Sequence, residues 1–346
     1  MDFPVSHSHE VWMRRALELA TNGLGKVSPN PLVGCVVVHQ GRIIGEGWHR
    51  QYGQPHAEVN ALASVQDRSL LPESTLYVNL EPCSHVGKTP PCADLIVKEK
   101  LAKVVVANRD VNPLVSGKGI KKLRDAGIPV VADILEPEGR RLNRRFFTWM
   151  EKKRPHIILK WAETADGFIA RKNYDSKWIS DEYSRQLVHK WRTEEDAIMV
   201  ASGTAWHDNP RLNVRNWSGR NPVRIVVDRF LKVGTHRHLF DGSQRTICFN
   251  TVQESSRENL EYVRLQTENI LPEILEHLYQ RNIQSVIVEG GAQLLTSFIT
   301  ANLWDEARVF ISPTAFGQGI AAPAISGTVV EMTKLDGDWL KIIHPF

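Results

Sequence analysis

The chain has 346 residues and a net charge of +4, with 42% hydrophobic and 24% charged residues. That length suits two domains, so mild a charge argues against nucleic acid as a partner, and no apolar run nears the ~18 residues of a membrane span. Four cysteines are too few for a disulfide framework and Met1–Glu10 lacks the apolar core of a signal peptide, so a cytoplasmic protein is expected.

Ser8 can cap a first helix, in which Met13, Ala16, Leu17 and Ala20 recur at helical spacing and which Gly23 can stop. Ser28-Pro29-Asn30-Pro31 reads as a loop whose prolines fix one amide; Asn30 either reads a ring edge or satisfies its own turn. Val33–Val38 is a β-branched run that predicts a buried strand, turned by His39-Gln40-Gly41 into Arg42–Gly47. His56 and Glu58 fall at a strand-to-helix junction. Strand Thr75–Asn79 then runs into Glu81-Pro82-Cys83, and Cys92 opens a helix to Lys100. A strand at Lys103–Ala107, a helix over Gly117–Ala126 and a strand at Val130–Ala132 complete a three-layer α/β unit, mostly parallel after the hairpin. Arg140–Phe147 closes it, and Thr148–Pro155 reads as a linker.

Two stretches of this unit carry chemistry. His56, Cys83 and Cys92 make a three-ligand zinc set with the fourth position open. Glu58 is not needed as a ligand and is free to move protons, as in the His-x-Glu…Pro-Cys-x-x-Cys pattern of zinc deaminases. Here eight residues, Ser84–Pro91, separate the cysteines instead of two. The insert brings Lys88, either a phosphate ligand or a solvated charge. It also brings His85, which leaves open a closed structural zinc site. A nucleoside or nucleic-acid deaminase with an appended binding domain is the other alternative. Cys35 and Cys248 lie in apolar runs and read as buried thiols.

The second half alternates again. Strands are expected at His156–Ala162, Ala197–Ala201, Val223–Asp228, Thr246–Asn250, Ser285–Glu289, Ala307–Ile311 and Leu340–His344. Ser180 or Asp181 can cap a helix running towards Arg192. Leu271–Gln280 and Ala292–Thr300 read as further helices. Gly290-Gly291, between a strand and a helix, either cradles a diphosphate or makes a tight turn; the G-x-G-x-x-G form is absent.

Asn-Pro-x-Val-Gly-Cys from Asn30, Pro55-His56-Ala57-Glu58-Val59, the run Glu81 to Cys92 and Asp110-Val111-Asn112-Pro113 resemble the deaminase half of the bifunctional deaminase–reductases of riboflavin biosynthesis. Leu159–Gly167, Ser176-x-Trp178-Ile179, Asp208–Leu212, Val223–Asp228 and Val288–Gly291 resemble the reductase half. The resemblance implies two domains. Residues 1–147 would be a cytidine-deaminase-like α/β/α unit, and residues 156–346 a dihydrofolate-reductase-like α/β unit. It implies zinc-dependent deamination of 2,5-diamino-6-ribosylamino-4(3H)-pyrimidinone 5′-phosphate, with Glu58 moving protons. NADPH-dependent reduction of the ribosyl group to ribityl would follow. Asn30, Lys88, Asp110 and Asn112 would hold the first substrate.

By the same resemblance Ala162, Trp178, Thr204, Asp208 and Gly291, Ala292, Gln293, Leu294, Leu295, Thr296 and Ser297 would contact NADPH. Ser176, Arg192, Leu212, Arg215 and Glu289 would contact the second substrate, with the two arginines suited to its phosphate. Lys160 is the candidate to polarise or protonate the opened sugar, the alternative being a strand-end lysine in solvent. Arg229 stands where the family usually has serine, and is expected to meet the 2′-phosphate of NADPH. The chain also ends soon after Leu340–His344, so an open sheet edge or one closed by a partner subunit is expected; the resemblance separately implies a homo-oligomer, a dimer or tetramer.

Overall fold

The computed structural model describes residues 5–84, 90–113, 115–177 and 179–346; Lys88, His85 and Trp178 lie outside them. The chain divides into two compact units, Met1–Lys152 and Lys153–Phe346.

In the first unit, helix α1 (Val5–Thr21) leads into hairpin β1 (Gly34–His39) and β2 (Arg42–Trp48). The unit continues with α2 (Ala57–Ala63), a 3-10 turn at Arg68–Glu73, β3 (Thr75–Leu80), α3 (Cys92–Lys98), β4 (Lys103–Asn108), α4 (Lys118–Asp125), β5 (Val130–Val131), α5 (Glu136–Leu142) and α6 (Arg144–Lys152). Ser8 falls inside α1, which already starts at Val5. The segment expected as a linker is helical as far as Lys152, because Phe146 and Phe147 anchor α6 on Leu80.

The sheet order is β2-β1-β3-β4-β5, antiparallel up to β3 and parallel from β3 to β5. Alternate residues serve opposite faces. Cys35, Val37, Val78, Val104 and Val106 pack under α2, α3 and α4 with Ala61, Ile96 and Leu123. Val36, Val38, Tyr77, Val105 and Ala107 pack against Met13, Ala16 and Leu17 of α1. With both faces covered, the strands read as unbroken apolar runs.

The second unit comprises β6 (His156–Glu163), β7 (Phe168–Ala170), α7 (Glu182–Glu194), β8 (Ala197–Ala201), α8 (Ser202–His207), β9 (Val223–Val227), β10 (Thr246–Asn250), β11 (Ser255–Arg257), β12 (Leu260–Arg264), α9 (Ile270–Gln280), β13 (Ser285–Val288), α10 (Ala292–Thr300), β14 (Glu306–Ile311), β15 (Ile320–Ala321), β16 (Thr328–Lys334) and β17 (Trp339–His344). Its large sheet runs β11-β12-β10-β9-β8-β13-β6-β14-β17-β16, parallel from β12 to β14. Asp181, not Ser180, caps α7, its carboxylate accepting from the Ser184 amide at 2.6 Å. One face is covered by α9 and α10 through Leu271, Ile274, Leu275, Leu294, Leu295 and Phe298. The other carries Val188 and Trp191 of α7 and Ala205 of α8.

The open edge falls one strand further out than Leu340–His344. β17 pairs with β14 on one side and β16 on the other. The strand that lies open is β16, which exposes Val329, Val330 and Met332. Among the described residues no helix is long and apolar enough to cross a membrane.

Candidate active sites

β3 ends at Leu80, and the chain turns through Glu81-Pro82-Cys83 at the carboxyl edge of the parallel strands, where open α/β sheets bind their ligands. His56 precedes α2 and Cys92 begins α3, so three elements converge there. The ligand atoms of His56, Cys83 and Cys92 lie within 4.8 Å of one another. His56 Nδ1 is 3.6 Å from Cys83 Sγ and 3.4 Å from Cys92 Sγ. A tetrahedral zinc with ordinary bond lengths sets such N···S edges at about 3.6 Å, so the donor set fits the ion in both kind and spacing. The Cys92 amide donates to Cys83 Sγ at 3.3 Å. Within the thiol pair Cys83 is pulled low, by hydrogen bonding from Cys92 and from His56, while Cys92 is held high as the donor.

Glu58 sits in the first turn of α2, buried beside both sulfurs. Burial first, and the negative charge of Cys83 second, push its pKa up to about 7. That carboxyl holds and releases a proton near neutrality. It has the property of a general acid–base, and no fourth ligand is required of it.

The structure brings Asn30 to the same pocket through a residue that sequence reasoning missed. Asn30 Nδ2 lies 3.1 Å from His49 Nε2. His49 Nδ1 lies 3.1 Å from the Pro55 carbonyl oxygen, and its ring meets His56 edge-on at 5.3 Å. His49 is buried just after β2. A polar residue directly following an alternating strand was the available signal.

Asp110 is also buried, and burial raises its pKa to about 6; its Oδ1 accepts from the Asn112 amide at 2.7 Å. What holds this loop is Glu81, whose role the motif did not disclose. Its carboxylate accepts from the amides of Asp110 (3.2 Å), Gly117 (3.0 Å) and Ile120 (3.0 Å). Gly119 allows the approach, since a Cβ there would stand 2.0 Å from the Pro82 carbonyl oxygen. Glu81→Ala strips three amides of their acceptor. We expect a loss of about 2–3 kcal/mol in urea unfolding of the first unit and a raised KM for deamination. Unchanged values on both counts would remove Glu81 from this role.

In the second unit, the carboxyl ends of β6, β8, β9 and β13 lie along one edge. Glu289, just past β13, forms a two-pronged ion pair with Arg192 of α7, at 2.8 and 2.7 Å. Both side chains are nearly buried, and Arg192 and Lys160 are the main positive charges that draw Glu289 down to about 2 against its desolvation. Lys160, near the end of β6, is lowered by burial and partly restored by Glu289; its ammonium lies 5.7 Å from the centre of the Phe310 ring. Lys160 is therefore not a strand-end lysine in solvent. The Arg192 guanidinium is engaged within the chain: Glu289 meets two of its nitrogens and the remaining one donates to the Asn213 carbonyl oxygen. Arg215 stays exposed, with Arg192 and Arg211 adding positive potential around it.

Thr204 of α8 faces the glycine pair: a Cβ on Gly290 or Gly291 would stand 3.2 or 3.3 Å from its hydroxyl oxygen. Asp208, half-buried, follows α8, and Ala162 is half-buried near the end of β6. Ser176 is half-buried in a segment braced by Tyr174, whose ring stacks on His207 at 4.1 Å. Three of the residues expected to contact cofactor or substrate have buried side chains, which leaves their backbone for contact. Leu294 and Leu295 turn into the core with Phe298, so α10 presents only Gln293, Thr296 and Ser297 as exposed side chains in its first two turns. The Leu212 side chain is buried against Val188 and Trp191 of α7.

The profile of the cytidine and deoxycytidylate deaminase zinc-binding region matches residues 6–108, and that of the RibD C-terminal domain matches residues 155–338. The riboflavin biosynthesis protein RibD of Aquifex aeolicus is 41% identical over 316 residues, covering 90% of this chain and 88% of the relative. That of Escherichia coli is 37% identical over 331 residues, covering 89% and 88%. A crystal structure from Thermotoga maritima, described as a diaminohydroxyphosphoribosylaminopyrimidine deaminase/5-amino-6-(5-phosphoribosylamino)uracil reductase, superposes with a TM-score of 0.91 at 40% identity, covering 99% of each chain. Acinetobacter baumannii RibD superposes at 0.90 with 34% identity, again covering 99% of each chain. With a zinc-binding triad in one unit and a nearly buried Arg192–Glu289 pair in the other, the chain belongs to the RibD family of bifunctional riboflavin-biosynthesis proteins, which join a deaminase to a reductase.

Proposed function

We propose that the first unit deaminates 2,5-diamino-6-ribosylamino-4(3H)-pyrimidinone 5′-phosphate, and that the second reduces the ribosyl group of the resulting 5-amino-6-(5-phosphoribosylamino)uracil to ribityl with NADPH. The observation that carries the first step is the buried carboxyl of Glu58 directly beside the His56–Cys83–Cys92 set. A zinc ion bound there lowers the pKa of water to about 7 and so supplies a nucleophile at neutral pH. Glu58 takes a proton on the water side and returns it to the ring and then to the departing amine. Asn30, steadied by His49, and the Asp110–Asn112 loop, steadied by Glu81, orient the pyrimidine and ribose. Lys88 is our candidate for the phosphate.

For the second step the nicotinamide supplies hydride to C1′. Burial makes Lys160 a stronger acid than a free lysine, which favours protonation of the opened sugar. Glu289 keeps that ammonium charged and holds Arg192 in place, leaving Arg215 for the substrate phosphate. Ser176 contacts the same substrate. Thr204, Asp208, the backbone of Gly291–Leu295 and the exposed Gln293, Thr296 and Ser297 line the dinucleotide. The exposed apolar residues of edge strand β16 support a homo-oligomer that covers them.

Glu58→Gln tests the first step. We expect zinc content to stay at the wild-type level while ammonia release falls about 10³-fold, the range of a lost general acid–base. Unchanged turnover would refute the role of Glu58.

A further inference from the structure

His189 is a buried titratable side chain with no step in the chemistry proposed for the second unit; it is 3% exposed. It lies on α7, one turn before Arg192. It meets segment 212–215, which runs between α8 and β9 and belongs to neither a helix nor a strand. Such a segment has no ladder of its own, so its backbone groups must find partners elsewhere. Leu212 anchors it, with its side chain buried against α7 and its backbone left-handed at φ 50°. The Asn213 carbonyl oxygen accepts from Arg192 at 3.1 Å, and the Val214 amide donates to Asn221 Oδ1 at 2.8 Å. The Arg215 amide donates to His189 Nδ1 at 3.5 Å, the long end of the hydrogen-bond range. Burial, then the charges of Arg192 and Arg215, bring the His189 pKa down to about 4. The ring is therefore neutral, and its Nδ1 can accept.

This arrangement fixes the backbone of a residue whose side chain stays outside. Arg215 is exposed, and its guanidinium donates to Asn213 Oδ1 at 3.4 Å. An anion-binding fork on a loose loop has to be ordered by its ligand, and that ordering subtracts from affinity. A buried acceptor beneath the loop does the ordering in advance. A neutral ring suits the place better than a carboxylate would. A second acid beside Glu289 would compete for Arg192 and would draw the charge of Arg215 away from the ligand. We propose that His189 is a positioning residue of the reductase, which sets the backbone at Arg215 so that the guanidinium meets the substrate's phosphate. This rests on Arg215 being the phosphate ligand of the second unit; His189 itself touches no substrate.

The test follows NADPH oxidation with 5-amino-6-(5-phosphoribosylamino)uracil and with the same compound lacking its phosphate. His189→Asn keeps an acceptor near the place of Nδ1, whereas His189→Gln carries its oxygen further out, towards the place of Nε2. His189→Gln and His189→Leu should each raise KM for the phosphorylated substrate about 10-fold, with kcat kept within about twofold. His189→Asn should stay near the wild type. For the dephosphorylated substrate all three should share the wild-type KM. Arg215→Gln should raise KM for the phosphorylated substrate by itself, and adding His189→Leu should raise it no further, because the histidine acts through the arginine. NADPH binding, read by fluorescence, checks that the second unit of each variant is folded, and the Asn–Gln pair decides the question if the leucine variant does not fold. Equal KM in His189→Asn and His189→Gln, or a multiplied effect in the double variant, overturns the proposal and leaves Arg215 as the phosphate ligand. Arg215→Gln with the wild-type KM overturns both.

Discussion

Replacing Cys83 by serine is expected to abolish deamination, to release zinc from the protein and to leave reduction of the deaminated intermediate unchanged. A serine hydroxyl does not ionise near neutral pH, whereas Cys83 is drawn towards the thiolate even without metal, by the Cys92 thiol and His56. Zinc prefers the thiolate, and the remaining His56 and Cys92 are a poor site by themselves. The reductase is spared because its cluster and its core lie in a different compact unit, Lys153–Phe346. Three assays on one preparation check this: metal content by atomic emission, ammonia release, and NADPH oxidation with pre-deaminated substrate. Loss of both activities in a folded protein would mean that the two units do not work independently.

Glu289→Gln should be the most damaging single change in the second unit. Glu289 is the buried counterion of Arg192, bonded through both oxygens, and it also raises the pKa of Lys160. Neutralising it strands a guanidinium in a nearly buried place, at a cost of about 3–5 kcal/mol in stability. It also drops Lys160 further below its ordinary range, so NADPH oxidation should fall to background while ammonia release continues. The pH dependence carries a sign. The pKa of Glu289 in the folded chain is about 2, below its ordinary 4.5. Its stabilisation is thus complete above pH 4.5 and disappears as the pH falls towards 2. In urea unfolding, wild type and variant should differ most at neutral pH and converge between pH 4.5 and 2. A gap that stays constant over that window would show that the ion pair is not its source.

The parts legible in the sequence were those written in local pattern. The apolar runs of β1, β3, β4, β6, β8, β9, β10, β13 and β14 announced themselves, because strands covered on both faces cannot alternate. His56, Glu58, Cys83 and Cys92 were legible because metal ligation demands particular donors in a particular order. What escaped was pairing between distant residues. Arg192 and Glu289 stand 97 positions apart, and nothing in either neighbourhood says that one neutralises the other. Asn30 with His49, and Glu81 with the amides of Asp110, Gly117 and Ile120, are the same kind of fact. β16 escaped for the opposite reason: five of its first five residues are exposed, so it has no burial pattern to read. The burial of the Leu294 and Leu295 side chains was legible: with Phe298 they repeat at helical spacing, which marks the core-facing stripe of α10.

The ends of the insert between the two cysteine ligands are already tied together. The Cys92 amide donates to Cys83 Sγ and the Ala93 amide to the Cys83 carbonyl oxygen, so the metal corner is closed whatever chain runs between. The spacing of the two cysteines in the sequence is thereby a weak constraint on the corner they form. The chain between the ligands can therefore differ in length from one zinc deaminase to another while the corner made by Cys83, Cys92 and His56 keeps its form.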